Sequence, residues 1–228
     1  MELRETRVIV TGGASGLGAA VVEALSTEGA RPFVLDINEP PSGAPHRVVD
    51  LADTQAAESA VRGVAEAEGL GAVVACAGVD ACGPLADVPR EDWERVVTVN
   101  LLGTAAVVRA ALPFLEASGG QVVTVASTLG LRALPDATAY CASKFGIVGF
   151  TRALQAESNG RVGVTLLVPG GMATSFFDTR DERYRPAPGQ ALNRPEDVAD
   201  AVIFTLRQPP GCEVRELLIT PSEEPSWP

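Results

Sequence analysis

Of the 18 lysine and arginine residues in this chain a single one is lysine, Lys144, and it stands four positions after Tyr140, one of two tyrosines. Residues at that spacing share a face of a helix, so the ammonium and the phenol are expected to meet. A tyrosine hydroxyl titrates near 10, too high for a base at neutral pH, and a cation within a few ångströms favours its phenolate. Lysine suits that task because it is a compact, rotatable charge with three donors, whereas guanidinium is a planar fork fitted to carboxylates and phosphates. The pair reads as acid–base chemistry on a substrate oxygen. The plain alternative is a packing aromatic beside a lysine that survived an arginine bias.

A second cluster follows the first apolar run: Thr11, Gly12, Gly13, Ala14, Ser15, Gly16, Leu17, Gly18. Gly12, Gly16 and Gly18 let a backbone turn sharply, approach a pyrophosphate and begin a helix whose N-terminal amides face the anion. Asp36, at the end of the next apolar run, is placed to accept hydrogen bonds from an adenosine ribose and to repel a 2′-phosphate. Ser15 adds no cation there, so NAD is favoured over NADP. A structural turn and an ordinary turn aspartate are the plain readings of these two features.

Such side chains need a scaffold, and the chain alternates apolar runs with helical stretches, the pattern of a parallel sheet covered on both faces. Strands are expected over Arg7–Thr11, Pro32–Asp36, Arg47–Val49, Ala72–Cys76, Gln121–Ala126, Val162–Val168 and Leu217–Thr220. Helices are expected over Leu17–Glu28, Thr54–Glu68, Trp93–Ala117, Ala139–Glu157 and Pro195–Leu206. This is a doubly wound α/β layout of the Rossmann type in a single domain spanning residues 1–228. Glu39–Pro45 reads as a plain loop, Phe176–Gln190 as a candidate substrate lid, and Ser222–Pro228 as an acidic, proline-bearing tail.

Composition narrows the partners. A net charge of −11 and a pI near 4.6 argue against nucleic acid and anionic membranes, leaving small molecules. No signal-peptide core and no long uninterrupted apolar run is visible, so a cytoplasmic location is expected. Cys76, Cys82, Cys141 and Cys212 lack metal-ligand spacing and read as reduced thiols. His46 is the only histidine, so neither a histidine-rich metal site nor a Ser-His-Asp triad is expected.

Taken together, these motifs resemble the short-chain dehydrogenases/reductases in their compact form, over about the first 200 residues. The resemblance matches Thr11–Gly18 to the family's cofactor turn, Tyr140 with Lys144 to its catalytic pair, and Ser127 to its catalytic serine. Asn100, in Val99-Asn100-Leu101, matches the asparagine that completes the tetrad. Asp50-Leu51 resembles the pair whose aspartate contacts the adenine, and Pro169-Gly170 with Thr174 the turn that reaches the nicotinamide. It implies that Tyr140 exchanges a proton with an alcohol or carbonyl as hydride moves to or from the nicotinamide, that Ser127 holds the substrate oxygen, and that Lys144 also bonds ribose hydroxyls. By the same resemblance Asn100 holds a water joining Lys144 to solvent.

Two departures stand out. Ala75, Cys76, Ala77, Gly78 replace the family's Asn-Asn-Ala-Gly stretch, and weaker local hydrogen bonding is expected there, with Ala77 and Gly78 still passing the cofactor. The Asp-Gly-Gly segment common after the last strand is also missing. The resemblance puts the substrate pocket above Ser127 and Tyr140, between Val79–Leu85, Leu129–Leu134 and Gly171–Tyr184, mostly apolar positions that suit a secondary alcohol or ketone. Arg132, Arg180, Arg183 and Arg185 read as solvated charges or as partners for a substrate carboxylate. Family members commonly pair through the helices matching Trp93–Ala117 and Ala139–Glu157, which implies a homodimer or homotetramer. An NADP-dependent ketoreductase, a non-catalytic nucleotide sensor and a lyase on the same fold remain as alternatives.

Overall fold

The computed structural model describes residues 1–227; Pro228, the last residue of the expected tail, lies outside the described residues. Seven strands form one fully parallel sheet: β1 (Arg7–Thr11), β2 (Arg31–Asp36), β3 (His46–Val48), β4 (Ala72–Ala75), β5 (Gln121–Val125), β6 (Gly163–Pro169) and β7 (Glu216–Ile219). Their spatial order is β3-β2-β1-β4-β5-β6-β7. The order reverses between β1 and β4, where loops on either side diverge at the carboxyl ends of the strands and open a crevice.

Strand residues alternate between two apolar layers, as the period of two requires. Val8 and Val10 pack with Val21, Leu25, Val198 and Val202 on one face, while Ile9 joins Val61, Val107 and Leu115 on the other. The first layer is supplied by α1 (Gly16–Thr27), with α6 (Pro195–Leu206) of the later part of the chain beside it. α2 (Thr54–Glu68) and the helices that follow β4 supply the second. β1 is buried along its whole length, which is why its sequence is a run rather than an alternation.

The helix expected over Trp93–Ala117 is instead built from α3 (Arg90–Val97), a π-helical turn over Thr98–Gly103, and α4 (Thr104–Ser118). Apolar periodicity runs through the break, so the pattern alone did not reveal it. Gly103 explains the close approach there: a Cβ on it would lie 2.8 Å from both the Cβ and the carbonyl oxygen of Leu51. Asn100, within the π turn, is 1% exposed. The remaining helix, α5 (Thr138–Ser158), follows β5 and carries both Tyr140 and Lys144. β1, α2 and α6 have the expected bounds, and the other undivided elements differ from expectation by one residue at one or both ends. His46 begins the exposed edge strand β3, where its Nδ1 lies 3.1 Å from the Ala44 carbonyl.

Candidate active site

The crevice is a cleft of about 670 Å³. It is lined by every expected site residue except Asn100: Gly12, Ser15, Gly16, Leu17 and Gly18 of the first turn, Asp36 beyond β2, Asp50 and Leu51 beyond β3, Ala77 and Gly78 beyond β4, Ser127, Tyr140 and Lys144, and Pro169, Gly170 and Thr174 beyond β6. Asn100 stands behind the wall.

The glycine turn is shaped by contact rather than by flexibility alone. Gly12 and Gly16 adopt φ of +68° and +51°, which a side chain rarely tolerates. A Cβ on Gly12 would lie 2.7 Å from the Ala77 Cα, and one on Gly18 would overlap the Gly12 carbonyl. Ser15 caps α1 in extended conformation without a side-chain hydrogen bond, so no protein side chain caps the first amides there. Asp36 accepts the Ala14 N–H and the Asn38 N–H, each at 3.0 Å. The turn reading of Asp36 therefore holds, and its carboxylate also faces the cleft. Asp50 accepts the Ala52 N–H at 2.9 Å and Arg95 Nη1 at 3.0 Å; that backbone bond, then Arg95, holds its carboxyl below the usual range.

Lys144 is 5% exposed, its Nζ donates to the Val125 carbonyl at 2.8 Å, and it lies 5.5 Å from the centroid of the Tyr140 ring. The shared helix face is thus realised, but the electrostatics differ from the simple expectation. Burial pushes the Tyr140 phenol well above its ordinary value and the Asp80 carboxylate adds to the rise; the Ser127 hydroxyl and Arg180 act in the opposite direction. Burial also lowers Lys144 to about 8, against upward pulls from Cys76 and Asp80. The expected lowering of the phenol does not prevail here, because desolvation is the dominant effect.

Ser127 lies two residues beyond β5 and accepts the Leu129 N–H at 3.1 Å, starting a short 3₁₀ turn over Thr128–Gly130. Asn100 braces the loop after β4: its Oδ1 accepts the Val79 N–H at 2.8 Å, and its Nδ2 donates to the Val79 carbonyl at 2.9 Å and to Ser143 Oγ at 3.0 Å. Within the Ala75–Gly78 stretch, the Ala77 N–H donates to Thr11 Oγ1 at 3.1 Å. Gly78 adjoins both Asn100 and Lys144: a Cβ there would lie in ordinary contact, 3.6 Å from Asn100 Oδ1 and 3.8 Å from Lys144 Nζ. A phenol, a hydroxyl and a buried ammonium converging on one cleft can exchange a proton with a bound oxygen.

The sequence missed a second set of polar groups. Asp80 pairs with Arg180 at 2.5 Å, so Arg180 is not a solvated charge. Ser226 bonds Thr128 Oγ1 at 2.6 Å and Glu224 accepts the Gly171 N–H at 2.9 Å, so the Ser222–Trp227 segment folds onto the site rather than away from it. Gly170 permits this, because a Cβ there would overlap Glu224 Oε2. Only the charge of these residues was visible in sequence; their partners lie about a hundred or more or about fifty positions away.

A family model described as short chain dehydrogenase matches residues 6–185. D-threitol dehydrogenase of Mycolicibacterium smegmatis is 35% identical, over 86% of this chain and 84% of its own length. Glycine betaine reductase ATRR of Emericella nidulans is also 35% identical, over 95% of this chain, which spans only 19% of that longer protein. A short chain dehydrogenase from Burkholderia cenocepacia solved in complex with NADP superposes with a TM-score of 0.85 at 27% identity, over 96% of this chain and 98% of its own. The chain belongs to the short-chain dehydrogenase family, a class of oxidoreductases acting on hydroxyl and carbonyl groups.

Replacing Asn100 by alanine would strip the Val79 N–H and carbonyl of their partner. Stability should fall by about 1 to 3 kcal/mol, read from urea denaturation; an unchanged midpoint would show that Asn100 does not brace this loop.

Proposed function

We propose that this chain interconverts a secondary alcohol and a ketone with NAD(H), Tyr140 serving as acid and base. The observation that carries this reading is the convergence of Tyr140, Lys144 and Ser127 on the cleft that also holds the glycine turn. The residues present fit a dinucleotide: the tight glycine turn at Gly12 and Gly18 admits no side chain, and Ser15 leaves the N-terminal amides of α1 without a side-chain cap. When bound, the nicotinamide accepts or supplies the hydride. Gly12, Ser15, Gly16, Leu17 and Gly18 would hold the pyrophosphate, Asp36 the adenosine ribose, Asp50 and Leu51 the adenine. Ala77, Gly78, Pro169, Gly170 and Thr174 would flank the nicotinamide half.

On the substrate side, Ser127 Oγ would hold the reacting oxygen while Tyr140 takes its proton or returns it. Lys144 has one protein acceptor, the Val125 carbonyl, which leaves donors for the ribose hydroxyls and for tuning the phenol. Asn100 positions the loop beside Lys144, and a water between them would carry protons to solvent. The carboxylate of Asp36 supports NAD over NADP by repelling a 2′-phosphate, although the Burkholderia relative was solved with NADP. The D-threitol dehydrogenase relative supports an alcohol as substrate.

Purified protein should reduce NAD with secondary alcohols, followed by absorbance of the reduced nicotinamide, and should use NADP at least about 10-fold less efficiently. Tyr140→Phe should lower kcat by about 10² to 10⁴ while keeping NAD affinity. NAD binding without turnover of any alcohol or ketone would oppose the reading, and unimpaired Tyr140→Phe would remove its base. Self-association is a further part of the proposal, supported by exposed Leu102 at the α3–α4 junction and Phe145 on α5. Light scattering should give a dimer or tetramer; a monomer at all concentrations would exclude it.

A further inference from the structure

The substrate end of the cleft carries a partly buried charge pair. Asp80, in the loop after β4, is 5% exposed and Arg180, in the segment after β6, is 16% exposed, with Nη2 and Oδ2 2.5 Å apart. Asp80 also accepts the Ala81 N–H at 2.8 Å and the Cys82 thiol at 3.1 Å. Arg180 donates from Nη1 to the Tyr184 carbonyl at 3.3 Å, and its buried Nε has no partner among the described residues. Its guanidinium stacks over Phe177 at 4.6 Å and Phe176 at 5.2 Å, and the Phe176 ring lies 5.8 Å from the ring of Tyr140. A second bond across the cleft joins Tyr184 Oη to Asp136 Oδ2 at 2.9 Å. Arg185, by contrast, only closes the segment on itself, donating to the Arg180 and Asp178 carbonyls.

The groups facing Tyr140 come from every surrounding element. Lys144 and Cys141 share its helix, and Ser127 beyond β5, Asp80 beyond β4, and Arg180 with Phe176 beyond β6 line the same cleft as Tyr140. Glu224, from the segment after β7, is engaged by the Gly171 N–H and by Ser226. Asp80 is the buried carboxylate of this set, and a carboxylate opposes formation of a neighbouring phenolate. Arg180 is the cation seated on it.

We propose that Arg180 is a positioning residue that couples closure of the Phe176–Gln190 segment to proton transfer: one ion pair both latches the segment across the substrate end and neutralises the carboxylate that faces Tyr140. This rests on the reading of Tyr140 as acid and base. With Arg180 away from Asp80, the segment loses its buried ionic anchor, Phe176 loses its support against Tyr140, and the uncompensated carboxylate disfavours loss of the phenolic proton. With the pair formed, substrate is enclosed and Tyr140 is eased toward proton release in the same event.

The test is a cycle of Arg180→Ala, Asp80→Asn, the double variant and Arg180→Lys, with Tyr140→Phe as control. Amide hydrogen exchange of residues 176–190, measured without substrate, should speed up by about 10-fold or more in Arg180→Ala, Asp80→Asn and the double variant; unchanged exchange overturns the latch whether or not the protein turns over. Oxidation of 2-butanol and 1-phenylethanol with NAD is then followed against pH. Arg180→Ala should move the rising limb of kcat up by about 1 pH unit and raise KM about 10-fold, with NAD affinity unchanged. In the double variant the limb should return to the wild-type position while KM stays raised, and Arg180→Lys should keep the limb while raising KM. A limb that does not move in Arg180→Ala, or that stays displaced in the double variant, overturns the coupling. Full activity in Tyr140→Phe, or no turnover of either alcohol by wild type, would instead sink the acid–base reading, and the exchange data would then decide the latch alone.

Discussion

A buried ammonium is the constraint around which the site is arranged. Taking a cation out of water is costly unless acceptors replace its hydration, and Lys144 is given one protein acceptor, the Val125 carbonyl. That carbonyl belongs to the last residue of β5. Burial consequently holds the ammonium near 8 rather than 10.5, a charge kept under tension and with donors to spare. An arginine would remain charged at any accessible pH and would need a wider cavity for its fork, which is a physical reason for a single lysine in a chain otherwise written with arginine.

The neighbouring structure follows from keeping that cation in place. Gly78 lies against both Lys144 Nζ and Asn100 Oδ1. Asn100, which bonds Val79, sits within a π turn of the helix, a feature often found at functional sites. Gly103, three residues on, allows the same stretch to press against Leu51. The dinucleotide-shaped half of the cleft and the acid–base half are thus joined through shared backbone rather than merely adjacent.

Much of this was legible beforehand. β1, α2 and α6 have the expected bounds because each combines a clear apolar period with punctuation at its ends; Asp53 caps α2 by accepting the Ala56 N–H, and Pro195 opens α6. Spacing placed Tyr140 and Lys144 on one helix face and the family resemblance pointed to Ser127; the structure brings all three to one cleft. Other parts were not legible. The π turn leaves apolar periodicity intact, so it has no local signal. Asp80 and Arg180 are individually ordinary charges, and only tertiary folding buries them together. The ionisation of Tyr140 was misjudged for a related reason: proximity of a cation is visible in sequence, whereas desolvation is a property of the assembled cleft. Glu224 and Ser226 sit in a segment with no periodic pattern, and their role comes from where β7 delivers them.

The single lysine makes the central constraint directly measurable. Protein labelled with ¹³C at the lysine ε-carbon has one such resonance, from Lys144, and its chemical shift can be followed from pH 6 to 11 without assignment. A midpoint near 8 is expected from a cation held in a desolvated site. A midpoint at the ordinary value of 10.5 would contradict the buried ammonium on which the arrangement of Tyr140, Asn100 and the cleft depends.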